Sequence, residues 1–285
     1  MDIVAVTYAL LAAILMGTIG VFSKLTGLPA EIITFFRLIF GAGFMMLFLA
    51  TIRKVSLAKV WPSWPVLING VLLAGFIIFY VQAMNYTSMA NAIMLVYLAP
   101  LIASVVAHFF LGERLTVNAL SLICLALFGF GMVMEFKIDI SSGSREFVGI
   151  CYGLLAVASY AGFILLNRVI GPKIHVYTRT FWQLLTGGCV MIPFILFSMH
   201  EVSLSDIPWL LAVGLFPGFL AIFFAVAALS RLPVAVFGTI AYMEPVAVVI
   251  FGWTIFHETL NAIQIAGCLL IITSGILKTI IERHR

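Results

Sequence analysis

Residues 86–115 read YTSMANAIMLVYLAPLIASVVAHFFLGERL, and residues 231–260 read RLPVAVFGTIAYMEPVAVVIFGWTIFHETL. Laid over each other at an offset of 145 without a gap, Ala90 falls on Ala235, Tyr97 on Tyr242, Pro100 on Pro245, Glu113 on Glu258 and Leu115 on Leu260. The weight lies in which residues coincide: a proline in the middle of an apolar run, a tyrosine three positions before it, and a glutamate where the run ends. A second match opens each half. Tyr8-Ala-Leu-Leu-Ala resembles Tyr152-Gly-Leu-Leu-Ala at an offset of 144, which puts Lys24 on Arg168 and Gly27 on Gly171. The chain therefore reads as two repeats, residues 1–137 and 148–282.

Composition says what solvent these repeats live in. Of 285 residues 64% are hydrophobic and only 9% charged, with a mean hydropathy of +1.23. A soluble domain carries roughly 25% charged residues and has no way to hide so much apolar surface. The expected fold class is an all-α membrane protein of ten transmembrane helices, arranged as two inverted five-helix repeats. The apolar runs lie at about 4–22, 30–50, 66–85, 91–110, 118–134, 148–166, 178–198, 209–228, 235–256 and 262–281. Each is near the roughly 20 residues that span a bilayer, and their continuity excludes the alternating strands of a β-barrel. Trp61, Trp64 and Trp209 fall at run edges, where interfacial aromatics belong. The first run starts almost at Met1 with no basic stretch before it, so it is expected to be a retained span rather than a cleaved signal.

Charge sets the orientation. With ten spans both termini share a side, and that side carries eleven of the fifteen Lys and Arg residues. The other side carries Lys24, Lys137 and Arg145, and Arg37 lies inside the second span. This bias predicts cytoplasmic termini and residence in the inner (plasma) membrane. An odd number of spans per repeat turns the second repeat upside down, as in many secondary transporters. The basic residues form no patch interleaved with aromatics, so no nucleic-acid partner is expected. Cys124, Cys151, Cys189 and Cys268 show no ligand spacing and are expected to be small buried hydrophobes.

The stretches Tyr86-Thr-Ser-Met-Ala-Asn-Ala, Leu98-Ala-Pro100 and Leu111-Gly-Glu113-Arg-Leu resemble the EamA domain of the drug/metabolite transporter superfamily. So do Tyr242-Met-Glu-Pro245, Phe256-His-Glu258-Thr-Leu and Gln264-Ile-Ala-Gly267, and Arg37 matches the arginine that often opens the second span. The resemblance covers nearly the whole chain. It implies ten spans and the movement of metabolites such as amino acids and purines, often outward. The family often has Trp-Gly in the first span, where this chain has Met16-Gly17, and Trp-Ala in the sixth, where it has Tyr160-Ala161. Those positions tend to line the central cavity, so Met16 and Tyr160 bear on specificity.

Glu244 is the leading candidate for chemistry. A carboxylate near the bilayer midplane costs about 3 kcal/mol on lenient scales and usually faces a cavity or a partner. The readings are a counter-charge for a substrate ammonium, a proton-coupling carboxylate, or a hydrogen-bonded helix contact. Pro100 and Pro245, each mid-span, free the carbonyls of Val96 and Ala241, and Pro217 with Gly218 does similar work in the eighth run. Such breaks are tolerated only where they line a cavity or pack on protein. Tyr97, Tyr242, Tyr80, Gln82, Tyr160, Trp182 and Gln183 supply polar and aromatic handles, singly ordinary packing and together a plausible lining. Arg37 is read as an anchor for a substrate carboxylate, a partner for Glu31, or a residue snorkelling to the interface. Glu113 and Glu258 end their helices and are expected in structural ion pairs.

Enzyme chemistry is not supported. His257-Glu-Thr-Leu-Asn261 lacks the second histidine of a zinc helix, and neither a nucleophile elbow nor a phosphate loop occurs. No cofactor and no metal are expected. The expected partners are a small-molecule substrate, the lipid bilayer and, as a candidate, a second copy of the chain. Export of small metabolites such as amino acids by alternating access is the leading function. An importer, a multidrug or quaternary-amine exporter, and a membrane-embedded enzyme, scaffold or channel are the alternatives.

Overall fold

The computed structural model describes residues 2–136, 144–170, 174–196 and 202–283. Lys137, Lys173, His200 and most of the Asp139–Glu146 link lie outside the described residues. The described chain is all-helical, without strands. Its helices are α1 (Ile3–Thr26), α2 (Ala30–Thr51), α3 (Ser56–Lys59), α4 (Trp64–Tyr86), α5 (Met89–Val96), α6 (Ala99–Phe110) and α7 (Val117–Val133). They continue as α8 (Ser144–Val169), α9 (Val176–Leu196), α10 (Ile207–Val213), α11 (Ala221–Leu229), α12 (Val234–Ala241), α13 (Met243–Phe256) and α14 (Ala262–Arg283).

Among the described residues nine helical stretches are long and apolar enough to cross a membrane. The run expected at 118–134 forms α7, a 17-residue helix just short of that length. Local signals set the ends. The Asp2 carboxylate accepts the Ala5 N–H at 3.1 Å and caps α1. Gly27, at φ 64°, turns the chain into the left-handed region and returns its N–H to the Ser23 carbonyl. Thr116 caps α7 through the Ala119 N–H. Trp61, Trp64 and Trp209 are exposed at span edges.

Three spans are broken, each at the proline the sequence marks. The fourth parts at Tyr97–Leu98 into α5 and α6, and the ninth at Tyr242 into α12 and α13. Between α10 and α11 the helix widens into a π-turn over Gly214–Leu220, with Pro217 inside it. Such turns recur at functional sites because they release backbone groups from the helical ladder.

Helix α4 lies along α8 and α9, α1 along α11 and α13, and α2 against α9 and the π-turn. Helices α7 and α14 pair with each other and pack on α12. There Gly129 and Gly267 meet: a Cβ on either would collide with the other's carbonyl oxygen. Small residues at such a crossing let van der Waals contact replace the hydrophobic drive that lipid does not supply. The cysteines correct the sequence reading. Cys124, Cys151 and Cys189 are exposed and Cys268 half-buried. In a bundle bathed by lipid the outside is as apolar as the core, so an apolar run does not tell a buried cysteine from an outward one.

Candidate functional site

The site forms where the three breaks meet the middle of α1, α2, α4 and α8. Arg37, the eighth residue of α2, is 5% exposed. Its Nε donates to the Pro217 carbonyl at 3.0 Å, an oxygen inside the π-turn, and its Nη2 contacts the Met16 sulfur at 2.9 Å. Gly218 makes this possible, because any Cβ there would run into the Arg37 carbonyl. Helix α2 thus lies hard against the π-turn, and Gly41 one turn on packs on the same backbone.

Glu244 stands in the first turn of α13, immediately after the break at Tyr242. A carboxylate suits a helix N-terminus, whose free N–H groups carry partial positive charge. Gly17 of α1 lies against the Glu244 carbonyl and Ala247, so α1 approaches at backbone distance. The Glu244 carboxyl is within electrostatic reach of Arg37, Tyr80, Tyr97 and Tyr160. Yet Glu244 and Arg37 do not join as an ion pair, and neither does Arg37 join Glu31. Two opposite charges lie within electrostatic reach of one another without closing into an ion pair. Met16, Tyr80, Tyr97, Tyr160 and Glu244 are all only half-buried, although each lies mid-span.

Aromatic side chains pack around this pair of charges. Tyr160 stacks on Phe76 at 4.8 Å between centroids, and Phe76 in turn on Tyr80 at 6.4 Å. Tyr97 packs on Phe130 at 4.2 Å. Tyr242 is wholly buried, and its hydroxyl donates to the Tyr97 carbonyl at 2.6 Å. The repeat-related tyrosines therefore bind each other, one break supplying the donor for a carbonyl that the other releases.

Of the residues picked from sequence, Met16, Arg37, Tyr80, Tyr97, Tyr160 and Glu244 come together. Pro100, Pro217 and Pro245 mark the breaks around them. Gln82 lies apart, in a groove of about 480 Å3 with Glu31, Ile78 and Pro193. Trp182 donates its indole N–H to the Val60 carbonyl at 3.0 Å and stacks edge-on with Trp61 at 5.2 Å, at the end of the bundle. Gln183 is fully buried among α4, α8 and α9, donating to Asn167 Oδ1 at 2.9 Å. Arg179 joins the same Asn167, bonding its carbonyl and its side chain, and reaches the Ile170 carbonyl at 3.1 Å. From this second polar cluster the sequence reading picked Gln183 alone and missed Arg179, Asn167 and the buried Asn69 and Thr180. Asn69, near the start of its apolar run, and Asn167, just past the end of its own, were the available signal.

At the bundle ends, Glu113 pairs with Arg168 at 2.5 Å and Glu258 with Lys24 at 2.5 Å. His108 closes the turn after α6 on the Glu113 carbonyl at 2.8 Å.

The sequence profile of the EamA-like transporter family matches residues 3–134 and 147–279. The pseudopaline exporter CntI of Pseudomonas aeruginosa is 28% identical over 252 residues, 87% of this chain and 86% of that protein. The threonine/homoserine exporter RhtA of Escherichia coli is 26% identical over 252 residues, 85% of this chain and 82% of that one. An uncharacterized transporter of Archaeoglobus fulgidus is 28% identical, covering 94% of this chain and 93% of its own. A solved crystal structure superposes with a TM-score of 0.86 at 20% identity, covering 98% of each chain, and shares the fold.

Proposed function

The chain belongs to the EamA-like transporter family and is a multi-pass membrane transporter, and from that premise we propose that it exports a small zwitterionic metabolite of the amino-acid class by alternating access. The observation that carries the reading is the open Arg37–Glu244 pair. A zwitterion satisfies both at once, its carboxylate on the guanidinium and its ammonium on the carboxylate of Glu244. Arginine suits the first task because its planar fork takes a carboxylate through two parallel hydrogen bonds. The tyrosine faces around Glu244 add cation–π attraction for the ammonium. Burying either charge alone is costly, so cargo bearing both is favoured over cargo bearing one.

The architecture proposed for this work is two inverted repeats of five spans, with α7 as the fifth of ten. The pairing of helices supports it. An offset of 145 takes α6 to α13 and α7 to α14, and contacts between α4 and α8 have their counterpart between α1 and α11. The bias of basic residues in the sequence toward the side of the termini supports cytoplasmic termini in an inner (plasma) membrane. The exporters CntI and RhtA among its relatives support outward transport. Family membership removes the membrane-embedded enzyme from consideration.

The test is efflux from proteoliposomes loaded with amino acids, purines and quaternary amines, followed by mass spectrometry of the medium. Selective, saturable loss of amino acids is expected. Loss of quaternary amines alone would overturn the zwitterion reading, since they carry nothing for Arg37 to bind.

A further inference from the structure

Glu113 does more than pair with Arg168. Its other carboxylate oxygen accepts the Val234 N–H at 2.7 Å. Val234 is the first residue of α12, and the position before it is Pro233, which caps nothing with its side chain. The first N–H groups of a helix have no partner within the helix. Glu113 supplies one, at the end where a negative charge is most favoured. A single carboxylate in the turn after α6 thus ties the first repeat to two helices of the second, α8 through Arg168 and the half-helix α12 through Val234. Its side chain is only 16% exposed, so water screens the contact little.

The repeat-related place is different. Glu258 holds Lys24 of α1, with both side chains 52% exposed. Met89, which the offset of 145 puts at the place of Val234, gives Glu258 no hydrogen bond. Helix α5 is capped instead by its own Ser88, which takes the Asn91 N–H at 3.1 Å. Packing repeats the asymmetry. Helix α12 lies on α6, with Gly238 against Pro100 and Ser104, whereas α5 lies on α4 and α8. Both ends are fastened across the two repeats, but only at the Asp2 end does the glutamate cap the half-helix; at the Lys24 end Glu146 of α8 holds Thr87 and Asn91 beside and within α5.

We propose that Glu113 is the latch of the Asp2 end: its carboxylate holds α12 against α6 and α8, and release of the Val234 N–H opens the central space to that side. The inference rests on the alternating-access reading. In the opposite state Glu258 becomes the cap of α5 through the Met89 N–H, so the two glutamates take turns. Glu113 touches no cargo and acts as a positioning residue.

Ser104 is 2% exposed and sits at the α6–α12 contact, which makes Ser104→Cys a reporter of that seam. The protein is placed in lipid nanodiscs, where both faces are accessible, and the rate of labelling by a membrane-impermeant maleimide is measured. Protein without the reporter gives the background from the four native cysteines. Glu113→Ala is expected to speed labelling about tenfold, the effect of losing a charge-assisted hydrogen bond. Glu113→Gln, which keeps the shape and one acceptor, is expected to give about threefold. Glu258→Gln should leave the rate at the parent value. Labelling of both Glu113 variants at the parent rate overturns the latch, as does equal acceleration by Glu258→Gln. The assay needs no cargo, so failure of the efflux test and failure of the latch are read separately.

Discussion

Arg37 and Arg179 are both buried, at 5% and 1% exposure, and the molecule uses them in opposite ways. Arg179 serves backbone and amide oxygens. It bonds the carbonyls of Asn167 and Ile170, at the end of α8, and the Asn167 side chain. A cation there meets the negative end of the helix and oxygens that would otherwise go unpaired. Among the described residues no carboxylate forms an ion pair with it. Arg37 bonds one carbonyl and a thioether sulfur, a weak acceptor, and faces Glu244 without closing on it. A buried cation whose two terminal nitrogens are both bound by oxygens at a helix end, with only its Nε unpartnered, is part of the scaffold. One held in place with its counter-charge at a distance is poised for something that comes between them.

The sharpest way to break this comparison is to neutralise the counter-charge. Glu244→Gln keeps the shape and leaves Arg37 without an opposite charge. Transport of an amino acid is expected to fall about 100-fold, the order set by losing one charged partner in a buried site, while the protein stays monodisperse. Full transport in that variant would make Glu244 a structural residue and erase the contrast. Arg179→Leu should do the reverse. It strands the carbonyls of Asn167 and Ile170 and costs about 3 kcal/mol of stability, roughly a 10 °C drop in thermal midpoint, before any effect on cargo selectivity. A stable Arg179→Leu protein with altered selectivity would move the site to the second cluster.

The smallest effect concerns the bundle end. The Asp2 carboxyl is held below its usual range, first by the Ala5 N–H and then by Arg231 at 3.3 Å. A depressed folded pKa stabilises above the unfolded value, and the gain disappears as pH falls through the folded one. Asp2→Ala should therefore lower the thermal midpoint slightly at neutral pH. The difference from the parent should vanish in acid. A difference that persists unchanged in acid would mean the carboxylate charge is not what caps α1.

Much of this architecture was legible in the sequence, because lipid imposes it. Nine stretches could be bounded from apolar runs alone, and the breaks at Tyr97 and Tyr242 follow from Pro100 and Pro245. Glu244 stood out because a midplane carboxylate is expensive. Its nearness to Arg37 was not legible. The two are 207 positions apart, no periodicity links them, and Glu31 was the nearer partner along the chain. Arg179 was counted as a loop charge because it follows a short connection, and only the fold brings it inside against the end of α8. The double use of Glu113 was likewise hidden, since a hydrogen bond to the Val234 backbone leaves no trace in side-chain pattern.

The central claim is that Arg37 and Glu244 hold opposite ends of one cargo. It is tested most directly by comparing Arg37→Gln with the parent in efflux of an amino acid and of its decarboxylated amine from the same proteoliposomes. The account predicts that amino-acid efflux falls about 100-fold while amine efflux changes little, so the preference between the two moves toward the amine. An equal fall for both would show that Arg37 only supports the fold, and would contradict the account.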